Sequence, residues 1–247
     1  MPPERSIGVL LGRAFAVAGA VVFVSALGLG CFTYVFSFGT DAHSPATGAP
    51  DPSPIPAASF DALLFSVFAL HHSLFARTGI KSAVTAVVTP RFERTFYVWF
   101  ASLLFAWVLL AWKPVPGTLW SLGNPWRWAF VAAQLLGVLI TARASGALDV
   151  FSLAGLRQAF DRPRTQSLEL KESGWYGIVR HPIYLGWILM VWPTPTMTGS
   201  RLAFAAISTF YLALAIPFEE RSLTAQFGPQ YAAYASRVRY RMLPFVY

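Results

Sequence analysis

Charge is scarce in this sequence. Of 247 residues only 12% are Asp, Glu, Lys or Arg, against roughly 25% in soluble domains. Hydrophobic residues make up 55%, and the mean hydropathy is +0.52. That balance excludes a soluble globular enzyme, a disordered chain and a nucleic-acid binder. Cysteine is almost missing too. Cys31 is the single one, and it lies inside the first apolar block. This excludes a disulfide framework and a Cys-ligated metal cluster. No HExxH, CxxC, GxGxxG or P-loop pattern occurs, and no internal repeat. No bound metal is expected.

What the chain does have is apolar blocks. A bilayer crossing needs about 20 such residues. Six segments qualify or come close: 7–38, 59–76, 96–112, 126–147, 183–194 and 200–218. The pattern predicts an all-α polytopic membrane bundle of five to six transmembrane helices. The fifth segment is short and meets Pro193 and Pro195, which stop a helix. Segments five and six therefore read as a tight helical hairpin that need not reach the far side. Two regions are expected. Residues 1–147 form a four-helix part with the substrate pocket, and residues 148–247 form a catalytic part.

The basic residues set the orientation. One side gathers Arg5, Arg13, Arg77, Lys81, Arg91, Arg94, Arg143, Arg157, Arg162, Arg164, Lys171, Arg180, Arg221, Arg237, Arg239 and Arg241. The other side has only Lys113, Arg127 and Arg201. Both termini and the 148–182 loop are thus expected in the cytoplasm. The loop Gly39–Ala58 has five prolines and no Lys or Arg, as an external connection would. Trp112, Trp120, Trp126 and Trp128 mark the external boundary as an aromatic belt. The first apolar stretch exceeds the ~7–15 residues of a signal-peptide core, so it reads as a retained helix.

Ionisable groups at membrane depth are costly and tend to mark sites. Four stretches carry them, all assigned to the cytoplasmic side. The first is Gly174 to Gly186, with Arg180, His181 and Pro182. Pro182 suits a first helical turn, and the helix N-terminus would attract an anion. His181, Tyr184 and Leu185 share one face. Gly186 would admit a flat ring or another backbone. A plain membrane-entry boundary fits the same residues. The second stretch is Glu219-Glu220, which could bind an ammonium or ribose hydroxyls, or pair with Arg180 or Arg221. Leu223, Phe227, Tyr231, Tyr234 and Val238 follow at helical spacing, as in an amphipathic helix lying over the site. The third is His71-His72, where a neutral imidazole could take a proton or simply bond a helix carbonyl. The fourth is Asp149 to Gln158, with Asp149 and Arg157 flanking an apolar turn that anchors a loop.

Together these stretches resemble the membrane methyltransferases related to isoprenylcysteine carboxyl methyltransferase. The carrying residues are Arg180 to Gly186, then Glu219, Glu220, Leu223, Phe227, Gly228, Tyr231, Tyr234 and Pro244. A narrower resemblance, over most of the chain, is to the bacterial methanethiol S-methyltransferases. They sit in one group with membrane proteins linked to denitrification. That resemblance rests on His72 to Arg77, Glu93-Arg94 with Tyr97, Trp112-Lys113-Pro114, Asp149 to Gln158, Trp192 to Thr198, Thr209 and Tyr211.

The resemblance implies an S-adenosylmethionine (S-adenosyl-L-methionine) pocket at the cytoplasmic membrane edge of a bacterial inner membrane. Tyr176, Val179, Arg180, His181, Tyr184, Leu185 and Gly186 would line one wall, with Glu219 and Glu220 holding amino or ribose groups. The amphipathic helix would close it. A small apolar thiol would arrive from the lipid bilayer into a pocket between segments two, three and four. His72 would serve as base, with Asp149 or Arg157 orienting it or the thiolate, and dimethyl sulfide would leave. Other readings of the Arg-His-Pro run are methylation of an isoprenylated cysteine, an NADPH-dependent membrane sterol or enone reductase, and a non-catalytic protein of nitric oxide metabolism.

Overall fold

Among the described residues five helices are long and apolar enough to cross a bilayer: α1 (Pro3–Phe36), α2 (Pro54–Phe75), α3 (Glu93–Ala111), α4 (Trp126–Ala147) and α8 (Gly199–Phe227). The structure is a computed structural model and describes residues 3–38, 53–75, 85–86, 88–160 and 169–247. Arg77, Lys81, Arg162 and Arg164, and the expected external loop as far as residue 52, lie outside the described residues. Residues 54–58, expected in that loop, are the first turn of α2. The protein is an all-α polytopic membrane protein.

The remaining elements are short. They are β1 (Thr118–Ser121), α5 (Val150–Leu153), α6 (Leu156–Phe160), a 3-10 turn (Gly174–Gly177), α7 (Pro182–Val191), β2 (Thr196–Thr198) and α9 (Pro229–Arg237). The 10 residues of α7 extend ~15 Å at 1.5 Å per residue. That is half of a ~30 Å hydrocarbon core, so α7 is too short to span and five spans, rather than six, are found among the described residues. After α7 the chain turns through Pro193 and Pro195 and forms β2, which pairs antiparallel with β1. This ribbon was not anticipated from the sequence.

The sixth segment also runs longer than its apolar stretch. Helix α8 continues through Pro217 to Phe227, so Glu219 and Glu220 sit on a continuous helix. Gly228, at φ +53°, ends it. Pro229 then begins α9, since a fixed φ and a missing N–H suit a first turn. The single amphipathic helix expected over 223–238 is therefore two helices.

The chain divides into two compact units. One comprises Met1–Gly30, Leu64–Ala111 and Leu148–Ser167. In it α1 lies on α3 at small residues. A Cβ on Gly12 would strike the Phe92 ring, and one on Gly19 would lie 2.7 Å from the Trp99 indole nitrogen. Trp99 stacks on Phe15 at 5.3 Å and donates to its carbonyl at 3.1 Å. The α5–α6 segment is stitched to the start of α3. Arg91 donates to the Ala159 carbonyl at 2.9 and 2.6 Å, and Arg94 to Leu153 at 3.1 Å. Gly155, at φ +78°, passes so close to the Thr95 amide that a Cβ would sit 3.1 Å from it.

The other unit comprises Cys31–Leu63, Trp112–Ala147 and Leu168–Tyr247. Its interior is held by polar side chains that cap helix ends. Arg201, assigned to the external side by the charge pattern, is interior, 3% exposed. Its guanidinium donates to Thr194 Oγ1 at 2.9 Å, the Thr196 carbonyl at 2.7 Å and the Tyr34 carbonyl at 3.2 Å. A cation at the C-terminal carbonyls of α1 meets the negative end of the helix dipole. Tyr34 in turn donates to the Val191 carbonyl at 2.6 Å, and Gln134 to Met190 at 2.8 Å. Asp61 is fully buried and accepts the Lys113 amide at 2.8 Å.

Candidate functional site

The sequence around Arg180 dictates a bend. The 3-10 turn ends at Gly177, and Pro182 starts α7, so Ile178 to His181 must be extended or irregular. That stretch pairs with the end of the chain: the Arg180 amide donates to the Tyr240 carbonyl at 2.9 Å and the His181 amide to Arg241 at 2.8 Å. Val179, fully buried, anchors the bend from behind. Leu185 and Tyr176 are buried as well. The Tyr176 hydroxyl donates to the Ala144 carbonyl at 3.4 Å, and its own carbonyl accepts the Tyr234 hydroxyl at 2.8 Å. Burial pushes the Tyr234 hydroxyl up to about 12, so it stays a donor.

The bend delivers its polar side chains to the cytoplasm-assigned end of α8. Arg180 Nε donates to Glu220 Oε1 at 2.7 Å. Its Nη1 reaches the carbonyls of Ala235, Val238 and Arg239 at 3.3, 3.0 and 3.2 Å, closing the C-terminal end of α9. Arg241 Nε meets Glu220 Oε2 at 3.2 Å, and its Nη1 donates to the Tyr247 hydroxyl at 2.8 Å. His181 lies 3.2 Å from Glu219 Oε2 and 3.5 Å from Glu220 Oε1. Tyr184 donates to Glu219, and its ring stacks on His181 at 5.3 Å.

Two carboxylates thus share three cationic or protonatable partners, and they share them unequally. Glu220 is 14% exposed in its side chain and ringed by Arg180, Arg241 and His181. Glu219 is 46% exposed. His181 is buried, which disfavours its charged form, but the hydrogen bonds and charges of both glutamates outweigh that and raise its pKa above the ordinary imidazole value. Among the described residues no side chain caps the N-terminus of α7, where His181 is the cap residue.

Five of the residues singled out in the sequence therefore meet: Arg180, His181, Tyr184, Glu219 and Glu220. Gly186 has a different occupation. Its Cα faces α4, and a Cβ there would collide with Thr141 Oγ1 and lie 2.6 Å from the Gly137 carbonyl. It admits a backbone, one of the two options its size allowed. Arg241 was read only as a basic residue. It is twenty-one residues from Glu220, and no periodicity links the two.

His72, Asp149 and Arg157 belong to the other unit. His72 Nδ1 lies 2.9 Å from the Tyr97 hydroxyl. His71 instead stacks on Phe75 at 4.5 Å. Asp149, at φ +61°, forms an ion pair with Arg157. Gln158 donates to Ser152 Oγ at 3.1 Å, tightening the turn. Among the described residues, no group of three His, Cys, Asp or Glu side chains is placed to hold a metal ion.

No protein-family model matches the chain. It is 37% identical over 179 residues to methanethiol S-methyltransferase 2 of Bradyrhizobium diazoefficiens, covering 71% of this chain and 69% of that protein. It is 36% identical over 190 residues to the methanethiol S-methyltransferase of Crocosphaera subtropica, covering 75% and 74%. The same name belongs to a Mycobacterium tuberculosis relative, 36% identical over 181 residues, covering 71% and 74%.

Proposed function

Since the chain belongs to the methanethiol S-methyltransferase family, we propose that it transfers a methyl group from S-adenosylmethionine to methanethiol, forming dimethyl sulfide. The observation that carries this reading is the meeting of Arg180, His181 and Tyr184 with Glu219 and Glu220, from stretches some 40 residues apart. The donor set suits a zwitterionic nucleoside. Glu219 keeps open surface for an ammonium or ribose hydroxyls. The uncapped N-terminus of α7 suits a carboxylate. Bound there, S-adenosylmethionine supplies an electrophilic methyl group on a sulfonium.

The roles of the two glutamates then separate. Glu220 is spent on Arg180 and Arg241 and holds the bend against α8. Glu219 binds. Tyr176, Val179, Leu185 and Gly186 support the wall from behind, and Tyr184 orients Glu219. In the other unit, His72 takes the thiol proton, because thiols attack as thiolates and a free thiol has a pKa near ~8.5. Arg157, held by Asp149, is the cation that orients the thiolate. Both termini face the cytoplasm of a bacterial inner membrane, as the basic residues indicate.

The test uses purified protein in detergent with methyl-labelled S-adenosylmethionine and methanethiol. Labelled dimethyl sulfide in the headspace is the expected product. Its absence, with calorimetric binding of S-adenosylhomocysteine intact, removes the thiol. Binding of NADPH in place of the nucleoside removes the methyl transfer.

A further inference from the structure

Helix α8 carries its own depth scale. Phe210, Leu214 and Phe218 are all exposed and recur every four residues on one face, as side chains turned to lipid do. Beyond them the exposed residues become Glu219, Arg221 and Ser222, so the apolar zone of α8 ends at about Glu220.

Residues 241–247 meet that level, pass inside it and return. Arg241 stands at the edge, its Nε 3.2 Å from Glu220 Oε2. Met242, next in sequence, is buried with Ile188 and Ile216, and Leu243 packs on the same group. Ile216 lies one turn inside Glu220, ~6 Å along α8 at 1.5 Å per residue. Tyr247 comes back to the edge, where its hydroxyl accepts from Arg241 Nη1 at 2.8 Å.

We infer that residues 242–247 are a membrane-docking turn, seated at the boundary between lipid headgroups and acyl chains, with Phe245 and Val246 inserted among the chains. A depth of ~6 Å falls within the ~5–10 Å to which interfacial segments sink their apolar faces. At the tip, Phe245 and Val246 are 86% and 77% exposed. Two adjacent apolar side chains turned outward are unfavourable in water and at ease in hydrocarbon.

The backbone suits the same medium. The amides of Met242 and Leu243 donate to the Tyr247 carbonyl at 2.8 and 3.0 Å, and those of Val246 and Tyr247 to the Leu243 carbonyl at 3.2 and 3.0 Å. Pro244 brings no N–H. Only the Phe245 amide lies outside these bonds, which matters where water is scarce and open backbone groups are costly. Phe245 itself sits at φ +66°, a region in which a bulky residue is an outlier. The closed turn holds it there, and the outcome of that strain is an outward-facing ring.

The test places nitroxide labels on the full chain in phosphatidylcholine–phosphatidylglycerol nanodiscs. Cys31, the single cysteine, is replaced by Ala, and Phe245→Cys and Val246→Cys are labelled separately. Leu214→Cys, on the exposed apolar face of α8, is the lipid reference. Ser236→Cys, exposed on α9, is the aqueous reference. Power saturation then compares collisions with oxygen, which concentrates in lipid, and with a water-soluble nickel chelate. At both tip positions oxygen should exceed nickel severalfold, as at Leu214→Cys. Nickel in excess, as at Ser236→Cys, places the tip in water and overturns the inference. Labels shielded from both reagents place it under protein, a second copy or another partner, and overturn the lipid assignment equally. Should neither tip variant fold, the wild type in vesicles carrying a photoreactive acyl chain decides. Adducts within residues 243–246 support the docked turn. Their absence, with adducts present on the Phe210–Phe218 face of α8, overturns it.

Discussion

Gly137 and Gly186 face each other across the crossing of α4 and α7 with no room for a side chain on either. A Cβ on Gly137 would lie 2.5 Å from the Gly186 carbonyl oxygen, and one on Gly186 2.6 Å from that of Gly137. Close approach at small residues is how helices bind one another where no hydrophobic effect separates them from lipid. Gly186→Val should therefore push α7 off α4 and cost at least the ~1–3 kcal/mol typical of overpacking. Thermal unfolding in detergent would report this. Unchanged stability would mean that the crossing is looser than described.

The two adjacent glutamates should separate in experiment. Glu220→Gln removes the carboxylate that compensates Arg180, whose side chain is 9% exposed. Breaking a buried pair from one side costs about 3–5 kcal/mol, so the variant should unfold well below the wild type. Glu219→Gln should lower the melting temperature far less than Glu220→Gln does, and weaken S-adenosylhomocysteine binding about tenfold, the ~1.4 kcal/mol scale of one charged hydrogen bond. Calorimetry and a melting curve on each variant decide it. Equal effects on both would refute the division of labour.

His181 predicts a pH dependence. Its pKa is raised in the folded protein by Glu219 and Glu220, against the opposing effect of burial. Protonation is therefore more favourable folded than unfolded, and the stabilisation is fully present below the unfolded value of ~6.5. It is lost as pH rises through the higher folded value. The melting temperature should fall across the neutral range, and His181→Gln should flatten that slope. A melting temperature that climbs over the same range in the wild type contradicts the prediction.

Arg201→Lys should not rescue what Arg201→Met destroys. A single ammonium cannot reproduce the fork that serves Thr194, Thr196 and the end of α1 together. Both variants should lose about 3 kcal/mol or more, since each leaves buried carbonyls unpaired. Retained stability in the lysine variant would show that charge, rather than the fork, is what the site needs.

The spans were legible because an apolar run of bilayer length leaves few alternatives, and α4 matches its sequence segment residue for residue. The brevity of α7 was visible in Pro193 and Pro195. The break between α8 and α9 was signalled by Gly228-Pro229 but overridden by the spacing of Leu223, Phe227, Tyr231 and Tyr234. The β1–β2 ribbon was invisible, because three or four residues carry no strand period and its partner lies some 75 positions away. In the site, Arg180, His181, Glu219 and Glu220 came from a family pattern, which says that residues recur but not how they share their charges. The asymmetry between the two glutamates needed Arg241, and only folding brings that residue to α8. Arg201 read only as a charge on the external side, since nothing in a sequence distinguishes a cation in water from one folded inward.

The shortness of α7 constrains the order in which the molecule can be assembled. A helix that stops within hydrocarbon leaves its last carbonyls without water or a following turn. Here Tyr34 takes Val191 and Gln134 takes Met190. Both acceptors wait on donors from α1 and α4, which leave the ribosome earlier. The late hairpin thus enters a socket that its predecessors have already prepared, and an insertion machinery presented with α7 alone would have no stable place to leave it.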